Sequence, residues 1–300
     1  MTQIGEALAA ALAQDSEDEC PFKLESNKNP SVQKESPPKD DCRAATREQC
    51  NNGGTLGSNL AKDSPSGWGA PDTLNDFHQP PEVTACQRLD SKTDPSLRVK
   101  VRDRPYPYKV AAHHLIPGEA SLANSHLYKS YMKEGVDGTT RNGKKYTIRT
   151  NIGYNVNGNH NGVWLPGNYG IRGSTSPEKG SSWSKIVVDP GCADWCWEYM
   201  MQCVQIIGGQ FHDSHTSYNE AVLDVLDNIA ARISAHHESE CSDCKEKDKI
   251  DPPYGVKRKL YRLSVFLHGK VTCQPGQWKA PWCTSDRFRE QLIQHRLLHG

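Results

Sequence analysis

The hydrophobic pattern divides the chain into a long polar leader and a patterned remainder. Through about residue 95, apolar residues rarely recur at a helical or strand period, and Pro37-Pro38, Gly53-Gly54 and Pro80-Pro81 interrupt the chain. This leader reads as flexible and disordered apart from one short helix over residues 1 to about 12. From about Ser96 the pattern tightens. Val99-Lys100-Val101 is extended, Arg104-Pro105-Tyr106-Pro107 is turn-rich, and Ala112-His113-His114-Leu115-Ile116-Pro117 follows on a strand. Leu122, Leu127 and Met132 suggest a short helix within 120–135, and 145–150 and 152–156 have strand-like composition, with the turn dipeptides Asp137-Gly138 and Asn142-Gly143 nearby. Residues 193–207, rich in Trp, Met, Cys, Val and Ile, predict a buried helix. Val222, Leu226, Ile229 and Ile233, spaced four, three and four apart, predict a second helix whose stripe is core.

Composition changes this picture in two ways. Of 300 residues only 35% are hydrophobic, against 24 glycines and 19 prolines, which favours a modest core with much loop. No apolar run approaches the roughly 18 residues needed to cross a bilayer. The Ile4–Leu12 stretch lacks a basic n-region, so no secretory signal peptide is expected and any export relies on other machinery. The net charge of zero conceals an asymmetry: residues 1–95 carry 9 Lys/Arg against 16 Asp/Glu, and residues 96–180 carry 13 against 5. A basic segment suits a phosphodiester substrate, because cationic side chains neutralise phosphates and displace counterions; the alternative is a solvated basic surface.

Candidate chemistry is concentrated in histidines. Adjacent His113 and His114 on a strand point to opposite sides, so one imidazole can hold a metal while its neighbour takes a proton from water near neutral pH. Downstream come Asn161-Gly162-Val163-Trp164-Leu165-Pro166 and then His212-Asp213-Ser214-His215-Thr216-Ser217-Tyr218-Asn219. Alone, Asn161-Gly162 reads as a hairpin turn. His212 and His215, three apart near a helix start, lie on one side of a turn and can share a metal. Tyr218 either braces that site or packs, and Arg172 either contacts phosphate or forms a surface ion pair.

The eleven cysteines, without a signal peptide, are not first read as disulfides. Cys192, Cys196 and Cys203 share one helical face as buried thiols. Cys20, Cys42, Cys50 and Cys86 sit irregularly in the leader. Cys241-Ser242-Asp243-Cys244 is half of a tetrahedral zinc knuckle that Cys273 and Cys283 would complete, with His236, His237 and His268 as replacement ligands. Lys257-Arg258-Lys259 and Arg262 add either nucleic-acid contacts or a solvated face.

In this order the Ala-His-His, Asn and paired-His motifs, over roughly residues 105–233, resemble the HNH or His-Me finger (endonuclease VII-like) nucleases, specifically the AHH type found in bacterial polymorphic toxins and secretion-system effectors. The resemblance implies an α+β fold with a ββα-metal core and helical insertions. The expected organisation is an acidic leader at 1–95, a nuclease domain at 96–235 and a small cysteine-bearing extension at 236–300. It also implies that His114 is the general base. His113, with His212 and His215 or with Asn161, would hold one divalent ion, Mg²⁺ or Zn²⁺. Asn161 either orients the base or joins the metal shell. The implied substrate is nucleic acid, DNA favoured over RNA, and the implied role is an antibacterial effector carried by a secretion system, neutralised by an immunity protein and active in the target-cell cytoplasm. The contrasting readings are a non-catalytic zinc-stabilised nucleic-acid-binding protein, with no need of His114, and a phage or housekeeping nuclease.

Overall fold

Two six-residue strands, Lys109–His114 and Gly162–Gly167, form an antiparallel pair in the computed structural model, which describes residues 52–60, 98–102, 104–139, 145–168, 171, 183, 193–239, 248–253 and 255–295. In chain order the elements are α1 (Gly53–Leu60), β1 (Arg98–Val101), β2 (Arg104–Pro107), β3 (Lys109–His114), β4 (Asp137–Thr139), β5 (Lys145–Ile148), β6 (Gly162–Gly167), α2 (Ala193–Ile207), α3 (Thr216–Ser239), β7 (Lys249–Ile250), α4 (Gly255–Thr272) and α5 (Asp286–Gln294). The architecture is α+β: among the described residues, helices surround three small sheets, β1-β2, β3-β6 and β4-β5-β7, the last with β7 parallel to β5. Among the described residues no helix is long and apolar enough to cross a membrane.

Two hydrophobic clusters hold these elements. One packs Leu115, Ile116, Val163 and Leu165 against Val222, Leu226 and Ile229 of α3 and Leu260, Leu263 and Leu267 of α4. The other packs Val99 and Val101 of β1 against Trp195, Tyr199 and Met200 of α2 and Phe288 and Leu292 of α5. The stripe expected on α3 is therefore core, and Cys196 and Cys203 of α2 are buried thiols. Residues 255–292, which the sequence groups with the C-terminal extension, bring Trp278, Trp282 and Phe288 into the same two cores.

Three local expectations are corrected. Arg104–Pro107 is a strand, hairpin-paired with β1, because Pro105 and Pro107 fall on a two-stranded ribbon whose free edge needs no N–H from them. The helix expected within 120–135 is broken into π-type turns at Gly118–Leu122 and Tyr128–Met132, between which the Ser125 hydroxyl bonds the Leu122 carbonyl at 2.7 Å and accepts from the Tyr128 N–H at 3.1 Å. Residues 152–156 are not a strand. Asn151 and Asn155 side chains accept from the N–H groups two residues on, at 2.6 and 2.9 Å, so the backbone is satisfied by turns while Ile152, Tyr154 and Val156 still point inward.

The leader is not uniformly without structure. Asn52 caps α1 by accepting from the Thr55 N–H at 2.9 Å, and Leu56 and Leu60 are buried where α1 lies on β3 and β6. That contact explains Gly162, which opens β6 in an extended conformation rather than turning a hairpin: a Cβ there would sit 2.6 Å from Leu56 Cδ1 and 3.1 Å from Leu60 Cδ1. Gly162→Ala therefore forces α1 off its seat, and overpacking at this scale costs about 1–3 kcal/mol. Denaturant unfolding is expected to show that loss; an unchanged midpoint would mean that α1 does not pack there.

Candidate functional site

β3 carries both motif histidines into buried positions and, because successive strand residues alternate sides, sends them to different neighbours. His113 meets His212 and His215, with ring centroids 4.9 and 5.0 Å away, and those two lie 5.3 Å from each other. One ligand nitrogen from each of the three falls within 4.8 Å of the others, a spacing that one metal ion can bridge. His113 Nε2 is buried without a hydrogen-bond partner among the described residues, as expected of a nitrogen reserved for a cation. Burial first, and then the charges of His212, His215 and His114, hold the His113 pKa well below its ordinary value. It is thus neutral and ligand-ready at pH 7.

His212 and His215 arrive by different routes. Gly208, at φ +84°, ends α2, and the chain then runs beside β6, where the His212 N–H donates to the Pro166 carbonyl at 2.7 Å. His215 immediately precedes α3, and its Nδ1 lies 2.9 Å from Asn219 Oδ1. An amide oxygen only accepts, so Nδ1 carries the proton and Nε2 keeps its lone pair for a metal. Burial lowers the His215 pKa, opposed by its own backbone, Asn219 and the charges of Asp286 and Asp213. Between the two histidines, the Asp213 carboxylate accepts from Asn168 Nδ2 at 2.8 Å and Trp183 Nε1 at 2.9 Å.

His114 stands apart from the trio. Its Nε2 is 2.8 Å from Asn157 Oδ1, which again only accepts; Nε2–H donates and the lone pair is left on Nδ1. Burial lowers its pKa to about 4, partly offset by Asn157. The arrangement can hold a cation on one side of β3 and accept a proton on the other.

Asn161 does not point into the histidine trio. Its carboxamide is fully buried, accepting from the Ile116 N–H at 2.8 Å and the Ser264 hydroxyl at 3.3 Å, and donating to the Ile116 and Val156 carbonyls at 2.9 and 2.8 Å. These bonds clamp the exit of β3 to the start of β6. Tyr218 both packs and braces: its ring lies 5.3 Å from His113 and its hydroxyl donates to the Leu115 carbonyl at 2.6 Å. Arg172, Cys241 and Cys244, like Cys20, Cys42, Cys50, Cys86 and Cys192, lie outside the described residues, as do the side chains of His236 and His237.

Several supporting residues escape sequence reasoning. Asn219 had a signal, at four residues from His215 on a helix. Asn157 sits in the asparagine-rich run 155–161, which marks turns without naming a partner. Asp286 had none. Its carboxylate accepts from the Thr216 N–H at 2.7 Å, capping α3, while its own N–H donates to the Ser214 carbonyl at 2.6 Å. The same C-terminal segment holds Gln210, whose Oε1 accepts from the Thr284 N–H at 2.9 Å and whose Nε2 donates to the Trp282 carbonyl at 2.9 Å.

A family model described as a nuclease family of the HNH/ENDO VII superfamily with conserved AHH matches residues 98–251. No curated protein and no solved structure matches the chain.

Burying neutral imidazoles makes the fold acid-sensitive. His114 and His160 are held at about 4 and about 3, whereas in the unfolded chain each takes its proton near 6.5. Acid therefore favours the unfolded chain: their contribution is complete above about pH 6.5 and is lost as pH falls toward 4, on the order of 2 kcal/mol per group by pH 4.5. Thermal melts from pH 7.5 to 4.5 are expected to show a falling Tm below 6.5. A flat Tm over that range would contradict the burial described.

Proposed function

The chain belongs to the AHH nuclease family of the HNH/endonuclease VII superfamily, and from that premise we propose a metal-dependent endonuclease that hydrolyses phosphodiester bonds of DNA. The observation that carries the mechanism is the division of the histidine pair. His113 joins His212 and His215 as a donor trio, and His114 stands with its lone pair on Nδ1 and its Nε2 proton held by Asn157. His114 takes a proton from the attacking water at Nδ1, and Asn157 steadies the imidazolium that forms. His113, His212 and His215 would hold the divalent ion, and Asn219 fixes the donor nitrogen of His215. When bound, the ion supplies Lewis-acid stabilisation of the charge that develops on the phosphate and on the departing oxygen. Among the described residues the donor set is three imidazoles without a carboxylate, which favours Zn²⁺ or another transition ion over Mg²⁺. Asn161 acts through its clamp on the backbone of β3 and β6, orienting the base from below.

The basic balance of residues 96–180 supports a polyanionic substrate, with Arg172 as one phosphate contact. The biological role proposed, on the resemblance alone, is an antibacterial effector delivered by a secretion system and matched by an immunity protein. A structural zinc on Cys241, Cys244, Cys273 and Cys283 is a separate proposal. Burial pushes the Cys283 thiol up to about 12, and a cation would reverse that cost. Cys241→Ser is expected to release about one zinc per chain by elemental analysis; unchanged zinc would leave four ordinary thiols.

Cleavage of plasmid DNA and of RNA by the purified protein, with EDTA and with added Zn²⁺, Mn²⁺ or Mg²⁺, tests the main proposal. His114→Ala is expected to lose roughly 10²- to 10⁴-fold in rate while binding metal normally by calorimetry, since it removes a positioned base. His113→Ala is expected to lose metal binding and cleavage together. Cleavage that survives EDTA, or a His114→Ala protein as fast as its parent, would end the assignment.

A further inference from the structure

Residues 53–60 lie outside the stretch matched by the family model, yet they contact the motif-bearing strands directly. Leu56 and Leu60 seat α1 over Gly162, the residue paired with His114 across the β3-β6 ladder. From this seat Asn59 projects its carboxamide so that Nδ2 donates to the backbone carbonyl of Asn157 at 2.8 Å. Asn157 is the residue whose side chain holds His114 Nε2, also at 2.8 Å. A continuous path of two hydrogen bonds therefore runs from the leader helix to the imidazole.

The residues around Asn157 show why a brace is needed there. Asn157 lies in a segment without a strand partner, where backbone groups are satisfied by local turns: its N–H donates to Asn155 Oδ1 at 2.9 Å, and the Asn155 carbonyl accepts from the Gly158 N–H at 3.1 Å. Such a segment has no ladder to set its position. Asn157 is nevertheless fully buried. A hydrogen bond from a helix seated on β3 and β6 ties this turn to the strand that carries His114.

We infer that Asn59 is a positioning residue for the reaction: through Asn157 it sets the tautomer and orientation of His114, and the leader helix is a working part of the catalytic hairpin. The inference rests on the reading of His114 as the base. It adds that a nuclease of this chain needs residues N-terminal to its motif-bearing segment. Its mechanistic content is narrow. Asn59 touches neither substrate nor metal, so its loss lowers turnover and leaves both binding steps in place.

Asn59→Ala and Asn59→Gln proteins test this beside Ser58→Ala, an exposed neighbour on the same helix whose hydroxyl bonds the Gly54 carbonyl of its own helix. Asn59→Ala is expected to lower kcat about tenfold with KM and Zn²⁺ affinity unchanged, short of the roughly 10²-fold that a 1 Å misplacement causes. Asn59→Gln, which keeps the donor, is expected to recover part of the loss, and Ser58→Ala to behave as the parent. A second readout does not need cleavage. In ¹⁵N-histidine-labelled protein the His114 imidazole is expected to be a single Nε2–H tautomer, and in Asn59→Ala a mixture. A parental kcat and an unmixed tautomer in Asn59→Ala would overturn the inference. So would a loss of kcat that comes with an equal loss of Zn²⁺ affinity, since that is the signature of a general scaffold. If the parent protein cuts no nucleic acid, the nuclease reading fails alone, and the tautomer measurement still decides whether Asn59 acts on His114.

Discussion

Three imidazoles, one buried and two half-buried, bring a ligand nitrogen each within 4.8 Å of one another, and much of the surrounding structure can be understood as holding them there. Protonated, the trio would repel itself; deprotonated, it has three lone pairs and little to bond. The surroundings answer this by giving one spare nitrogen and the backbone nearby defined partners. Asn219 takes the His215 proton, the Pro166 carbonyl takes the His212 N–H, and Tyr218 fills the space beside His113 while tying down the Leu115 carbonyl.

The same economy separates the two members of the pair. Alternation along β3 is enough to place adjacent side chains in different environments, but it does not by itself hold a ring at a given angle. Holding is done from outside the strand. Asn161 fixes the backbone just past the pair by bonding both polar groups of Ile116, and its other two bonds reach the Val156 carbonyl and the Ser264 hydroxyl, so β3 and β6 keep their register at the point where His114 faces Gly162. The separation of His113 from His114 is thus as much a property of β6 and α4 as of the motif.

Much of this was legible in the chain because the chemistry lies in short motifs. Residue type and order single out His113, His114, Asn161, His212 and His215, and the apolar periods of 193–207 and 222–233 mark the two helices that flank the third motif. What was hidden depends on contacts distant in sequence. Nothing in Ser285-Asp286 indicates that it caps a helix 70 residues earlier, and nothing in the polar leader marks Leu56 as a fully buried side chain. Two local misreadings have a local cause. Prolines in Arg104–Pro107 suggest a turn unless the ribbon is known to leave their edge unpaired, and the inward side chains of 152–156 mimic a strand whose hydrogen bonds are in fact made by asparagine side chains.

The cap supplied by Asp286 also bears on timing. A ribosome makes the chain from its N-terminus, so every histidine of the trio is present well before Asp286 has been added. Until Trp282, Thr284 and Asp286 emerge, Gln210 lacks two of its partners, the first turn of α3 lacks its cap, and the loop from 210 to 216 lacks its tie to the C-terminal segment. A nascent chain carrying all the motifs therefore still lacks part of the framework that holds them. Synthesis supplies the motifs first and the residues that fix the loop between them last.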